Sequence, residues 1–106
     1  MFARRVYMHL KPNSVAELTL RFEKDIIPGL RKHKGFQDEF TFVAPSATEA
    51  FAISLWDTAE SAEAYSRAGY SEAAKALVTV IDGPPQVETF NVANSTFHKI
   101  AAAVTV

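Results

Sequence analysis

Between Phe51 and Tyr70 an apolar run ends on the chain's one tryptophan, Trp56, and passes almost at once into a helix-start signal. Asp57 followed three residues later by Glu60 has capping-box spacing, and Ala59 to Arg67 is alanine-rich and of high helix propensity. A strand joined so tightly to a helix must lay that helix against a face of its own sheet, which restricts the chain to layered α and β architectures. Gly69-Tyr70 interrupts the helical pattern, and Ser71 opens a second stretch in which Ala74, Leu77, Val78 and Ile81 are expected to share one face.

The elements around this junction follow from periodicity and punctuation. Phe2 to Lys11 sets Val6, Met8 and Leu10 against Arg5, Tyr7 and His9, the period of a strand, and Pro12-Asn13 ends it. Ser14 and Glu17 have capping-box spacing, and Val15, Leu18, Phe22, Ile26 and Leu30 recur at helical intervals. Pro28 inside that pattern removes the hydrogen bond back to Lys24, so a kink or break is expected there, with Gly35 as the stop. Phe36 to Val43 and Ala50 to Trp56 read as a hairpin around a polar turn, and Gly83-Pro84-Pro85 precedes a fourth strand from Gln86 to about Ala93. The segment from Asn94 to Val106 has no pattern, and reads as a short extra strand reaching a partner subunit or as a frayed terminus.

With 106 residues, of which 48% are hydrophobic, the chain reads as one domain, residues 1–106, with a core over about 2–93 and a tail over 94–106. A chain of this size buries roughly two-thirds of the surface exposed when unfolded, so self-association would add to its stability. Eleven basic and twelve acidic side chains, with no basic block, give no phosphate-binding character, and neither nucleic acid nor membrane is an expected partner. The absence of cysteine removes disulfides, thiolate catalysis and zinc-thiolate sites. Arg4, Arg5 and His9 break the N-terminal apolar stretch, which therefore does not read as a signal peptide, and a cytoplasmic location is expected. Asn94-Ser95-Thr96 matches a glycosylation sequon without a secretory context to support it. His9, His33 and His98 lie on separate elements without metal-ligand spacing, and His33 in Arg31-Lys32-His33-Lys34 suits a helix end.

The order strand, helix, strand, strand, broken helix, strand predicts an α+β, ferredoxin-like antiparallel sheet with helices on one face. Placing Val6, Met8, Leu10, Phe51, Ile53 and Leu55 on the helix side leaves Arg5, Tyr7, His9, Ala52, Ser54 and Trp56 on the other. A face of that kind, carrying aromatics and few charges, is expected to meet another subunit, to line a ligand pocket, or both.

The first strand ending at Lys11-Pro12, the helix closing on Lys34-Gly35-Phe36, and Leu55-Trp56-Asp57-Thr58 followed by Ala64-Tyr65 are the features in which the chain resembles the antibiotic-biosynthesis-monooxygenase-like group of dimeric α+β barrel proteins. The resemblance covers about residues 2 to 93. It implies a homodimer formed through the open sheet face and a small-molecule cavity between sheet and helices. The group includes cofactor-independent oxygenases of phenols and quinols, haem-degrading enzymes and proteins of unknown role. The haem-degrading pattern matches only at Trp56: the first strand has no asparagine, and Ser71 to Asp82 has no histidine, with Lys75 near its place.

A cofactor-free oxygenase must bind an electron-rich phenol or enol, take its proton, and stabilise the anion as it reduces dioxygen. On that reading His9 is the candidate base and Tyr7 and the Trp56 indole N–H are candidate donors, while Ser54, Tyr65 and Tyr70 line the substrate. No metal or organic cofactor is implied. The alternative roles are structural: Trp56 packing a strand end, His9 and Tyr7 on a surface or interface strand, Tyr65 and Tyr70 packing helices. Two functions therefore stand side by side, an oxygenase of an aromatic or quinol metabolite and a non-catalytic dimeric domain for a small apolar ligand, the latter including a stress-related role.

Overall fold

A computed structural model describes residues 1–100; Ala101–Val106, the end of the tail read above as a strand reaching a partner subunit or a frayed terminus, lie outside the described residues. Four strands, β1 (Phe2–His9), β2 (Phe36–Val43), β3 (Glu49–Trp56) and β4 (Gln86–Asn91), form one antiparallel sheet in the order β2-β3-β1-β4. Helices α1 (Val15–Arg21), α2 (Ile27–Leu30), α3 (Ala59–Ala68) and α4 (Tyr70–Leu77) complete the expected ferredoxin-like α+β fold. No helix among the described residues is long and apolar enough to cross a membrane.

The first helical region is interrupted upstream of its proline. Phe22–Ile26 form a π-helical turn joining α1 to α2, and the Ile27 N–H donates to the Phe22 carbonyl. The widened turn hands the chain on to α2, where Pro28 sits in the first turn and its missing N–H costs least. Leu18, Phe22, Ile26 and Leu30 are buried along one stripe, each worth about 1.5–3 kcal/mol of burial. The chain stops at Gly35, whose φ of +86° only glycine adopts without strain, and the Gly35 carbonyl accepts from the Asp57 N–H at 2.9 Å.

Both expected capping boxes are corrected. Ser14 has an αR backbone and makes no side-chain cap, donating instead to the Pro12 carbonyl. Before α3 the cap is Thr58, one residue later than Asp57: its extended backbone lets its hydroxyl accept from the Ser61 N–H at 3.1 Å. The face expected for α4 is also only half right, because Leu77 and Ile81 are buried while Val78 is 62% exposed beyond the helix end.

The register revises the two sheet faces. Phe2 pairs with Trp56, Val6 with Ala52 and Met8 with Ala50, and residues directly opposite in an antiparallel pair share a face. Ala50, Ala52, Ser54 and Trp56 therefore lie under the helices, and Phe51, Ile53 and Leu55 look out beside Arg5 and Tyr7, the reverse of the expected phase for β3. The reason is packing volume. The helices deliver large side chains, so the central strand beneath them carries alanine and serine, and its bulky residues fall on the other side. That open face is apolar with different residues from those expected: Phe40, Phe42 and Phe51 stack in sequence, and Phe97 from the C-terminal segment lies on Phe40.

Candidate functional site

Small residues under large ones leave a cavity between the sheet and the helices, about 40 Å³ in volume, floored by Arg4, Ser54 and Glu39 and roofed by Phe22, Tyr65 and Tyr70. Its floor is one row across three strands, since Ser54 pairs with Arg4 on β1 and with Glu39 on β2. Adjacent strands lie about 4.8 Å apart, so the backbones of Arg4 and Glu39 stand about 10 Å apart with Ser54 midway.

Each group on this floor is tuned by its neighbours. Ser54 is buried and its hydroxyl accepts from the Trp56 indole N–H at 2.9 Å, which leaves the serine O–H free to donate. Burial pushes the Glu39 carboxyl above its ordinary range, against a hydrogen bond of 2.7 Å from the Thr41 hydroxyl. Arg4 is 4% exposed, and no carboxylate among the described residues lies within ion-pair distance of it. Its guanidinium sits 4.1 Å from the Tyr70 ring centroid and 5.6 Å from that of Tyr65. Burial lowers its pKa and the two tyrosines oppose the change, but a guanidinium stays charged throughout the physiological range. Burial likewise raises the Tyr65 hydroxyl, and the Tyr70 hydroxyl is buried with no partner among the described residues.

Of the residues expected to form a site, Ser54, Tyr65 and Tyr70 line the cavity together. Trp56 stands one layer behind: it is fully buried, stacked on Tyr65 at 5.2 Å and edge-on to Phe36 at 5.6 Å. Its indole N–H is committed to Ser54, so it does not donate into the cavity and acts instead by holding the serine. Tyr7 and His9 lie on the open face, as their alternation with Val6 and Met8 predicted, and so do not share the cavity with Ser54. There the Tyr7 hydroxyl donates to the Glu49 carboxylate, raising the Tyr7 pKa, and His9 is exposed with its ring edge-on to Tyr7. Within one chain the sheet separates both from Ser54. Arg4 and Glu39 were missed, although the signal for Arg4 was present: it shares the period-two phase of Val6 and Met8, a charge in a buried phase. Glu39 was obscured by a register irregularity between Phe36 and Asp38, which shifts the inward phase of β2.

Above this cavity a wider groove of about 680 Å³ runs between the π-helical turn with α2 on one side and α3 with α4 on the other. Ile26, Leu30, Tyr65 and Ala73 border both spaces, so a wall one side chain thick divides them. His33 packs edge-on against Tyr65 at 5.1 Å in this groove. Among the described residues no cluster of three or more His, Asp or Glu could hold a metal ion.

No family model matches the chain, and no curated protein matches it in sequence. Its fold is nevertheless shared by solved structures. A protein of unknown function from Nitrosomonas europaea is 17% identical, with a TM-score of 0.73 over 96% of this chain and 95% of the other. A putative antibiotic biosynthesis monooxygenase from Bordetella bronchiseptica is 14% identical, with a TM-score of 0.74 over 88% and 97%. SnoaB, a cofactor-independent oxygenase from Streptomyces nogalater, is 13% identical, with a TM-score of 0.71 over 90% and 95%. The match in element order, sheet and length across these structures gives this chain the fold of the antibiotic-biosynthesis-monooxygenase-like proteins.

Proposed function

We propose that the chain is a cofactor-independent monooxygenase of a small aromatic or quinol molecule, acting in the cavity between sheet and helices. The observation that carries this is the pairing of Glu39 with Ser54 on the cavity floor, a proton acceptor beside a hydroxyl donor in apolar surroundings. The substrate hydroxyl gives its proton to the ionised Glu39, which burial makes a stronger base than an ordinary carboxylate. Ser54 donates to the resulting oxyanion, its own oxygen polarised by the Trp56 N–H. The anion passes an electron from a ring C–H carbon to dioxygen, and the two radicals combine to a peroxide anion that takes the proton back from Glu39 to become a hydroperoxide. Loss of water then leaves a carbonyl, one oxygen atom entering the product and the other leaving as water. The fold shared with SnoaB supports this chemistry.

The proposal includes a homodimer formed through the open face, supported by Phe42 and Phe90, which are 47% and 48% exposed there. A second function, ligand binding without catalysis, is favoured by one observation: a volume of about 40 Å³ holds only about three waters, so a substrate must displace the wall. Oxygen uptake on a panel of quinols and polycyclic phenols, without added metal or flavin, separates the two. Catalysis predicts uptake above the spontaneous rate that falls about 100-fold or more in Glu39→Gln, the range of general-base effects. No uptake with any compound would leave the binding function.

A further inference from the structure

Among the described residues Arg4 is a buried charge without an ion-pair partner. An arginine at 4% exposure normally faces a carboxylate, because removing an ion from water is costly unless a counter-charge replaces the lost solvation. Here its described partners are two aromatic rings, and the carboxylate on the same floor, Glu39, lies two strands away with Ser54 between. The Tyr70 hydroxyl is also buried and has no hydrogen-bond partner among the described residues. The approach to this point is cationic as well. At the outer groove Glu72 is bonded to Lys75 and Asp25 to Arg21, which leaves Lys24 and Lys32 on the groove lining without an ion-pair partner among the described residues.

We infer that the cavity takes a flat aromatic acid, whose permanently ionised carboxylate meets Arg4 while its hydroxyl reaches Ser54 and Glu39 at the other end of the row. This rests on the proposed use of the cavity and adds the substrate class. The row fixes polarity: the anchoring charge lies at β1 and the proton acceptor at β2, about 10 Å apart at the backbone, a span suited to a fused ring system rather than a single small acid. The ring body lies where Ile26, Leu30, Tyr65 and Ala73 now divide cavity from groove, so entry parts this wall. Both sides of the wall carry a break in regular helix: α3 and α4 meet at Gly69, and the opposite side is the π-helical turn, a kind of irregularity concentrated at functional sites.

The test is calorimetric titration of the protein with 6-hydroxy-2-naphthoate and its neutral isostere 6-hydroxy-2-naphthamide, on the unmodified chain, Arg4→Met and Arg4→Lys, with circular dichroism confirming that each is folded. The acid is expected to bind the unmodified chain at least tenfold more tightly than the amide. Arg4→Met should abolish that preference and Arg4→Lys retain part of it. Equal affinity for acid and amide, a preference surviving Arg4→Met, or no binding of either compound at millimolar concentration would overturn the inference. An acid preference without oxygen uptake would refute the oxygenase function alone, whereas uptake with neutral quinols and no acid preference would refute only the acidic substrate class.

Discussion

Replacing Arg4 by methionine should make the empty protein more stable. The change keeps an unbranched apolar side chain under the helices and removes a buried ion that no described carboxylate neutralises. What it loses is the cation–π contact with Tyr70 at 4.1 Å, about 2 kcal/mol when desolvated, and a weaker one with Tyr65 at 5.6 Å, about 0.5–1 kcal/mol. What it relieves is a desolvation cost of roughly several kcal/mol, and exchanges of buried ions for apolar residues stabilise by about 1–4 kcal/mol in favourable cases. The balance is a gain of about 1–2 kcal/mol, or about 5–10 °C in Tm for a domain of this length. Urea unfolding, followed by the fluorescence of Trp56 and by circular dichroism at fixed protein concentration, would show a raised midpoint with an unchanged slope. A loss of more than about 1 kcal/mol would refute the reasoning, because the tyrosines would then satisfy the guanidinium and no ligand anion would be needed.

Trp56→Phe removes part of a fully buried ring system, about 2 kcal/mol at ~0.8 kcal/mol per methylene equivalent, and the bond to Ser54, about 1 kcal/mol. It should stay folded but lose about 2–3 kcal/mol in urea unfolding followed by circular dichroism alone; an unchanged midpoint would mean the indole is not part of the core. Gly35→Ala should cost about 2–4 kcal/mol, from its left-handed backbone and from a Cβ placed 2.2 Å from Asp57 Oδ1 and 2.4 Å from Ser61 Oγ. Gly29→Ala, with nothing within 4 Å of the new atom, should instead leave stability equal or raised by about 0.5–1 kcal/mol, and thermal melts of the pair check the contrast. Glu39 gives a pH signature: its folded-state pKa is raised, so the native state binds the proton more tightly. Its contribution is intact below the unfolded carboxylate pKa and is lost as pH rises toward the folded value. Glu39→Gln should remove that decline from the stability profile, and an identical acid-to-neutral profile in both proteins would contradict the burial of this carboxyl.

Element types were legible because they are local. The alternation in Phe2–Lys11, the helical spacing from Val15 to Leu30 and the Gly83-Pro84-Pro85 stop are set by side-chain periodicity and backbone sterics, and each maps onto an observed element to within a few residues. The caps were less legible, since Ser14 has the right chemistry but an αR backbone, and the cap before α3 falls on Thr58, whose extended backbone lets its hydroxyl reach the Ser61 N–H.

Taken alone, the sequence determined the α+β element order, the position of Trp56 at the strand-to-helix joint, and the presence of apolar residues on both sides of the sheet. It could not determine which side of β3 lies under the helices. Ala50, Ala52 and Ser54 alternate with Phe51, Ile53 and Leu55, and a period of two fits either phase when both faces are apolar. Only the cross-strand register and the volume supplied by Leu18, Phe22, Ile26 and Leu30 decided it, turning the small residues inward. That one-residue phase moved Ser54 and Trp56 to the helix side while Tyr7 and His9 stayed on the open face, and it brought Arg4, Ser54 and Glu39 into a single row, a juxtaposition of three strands that no local pattern contains.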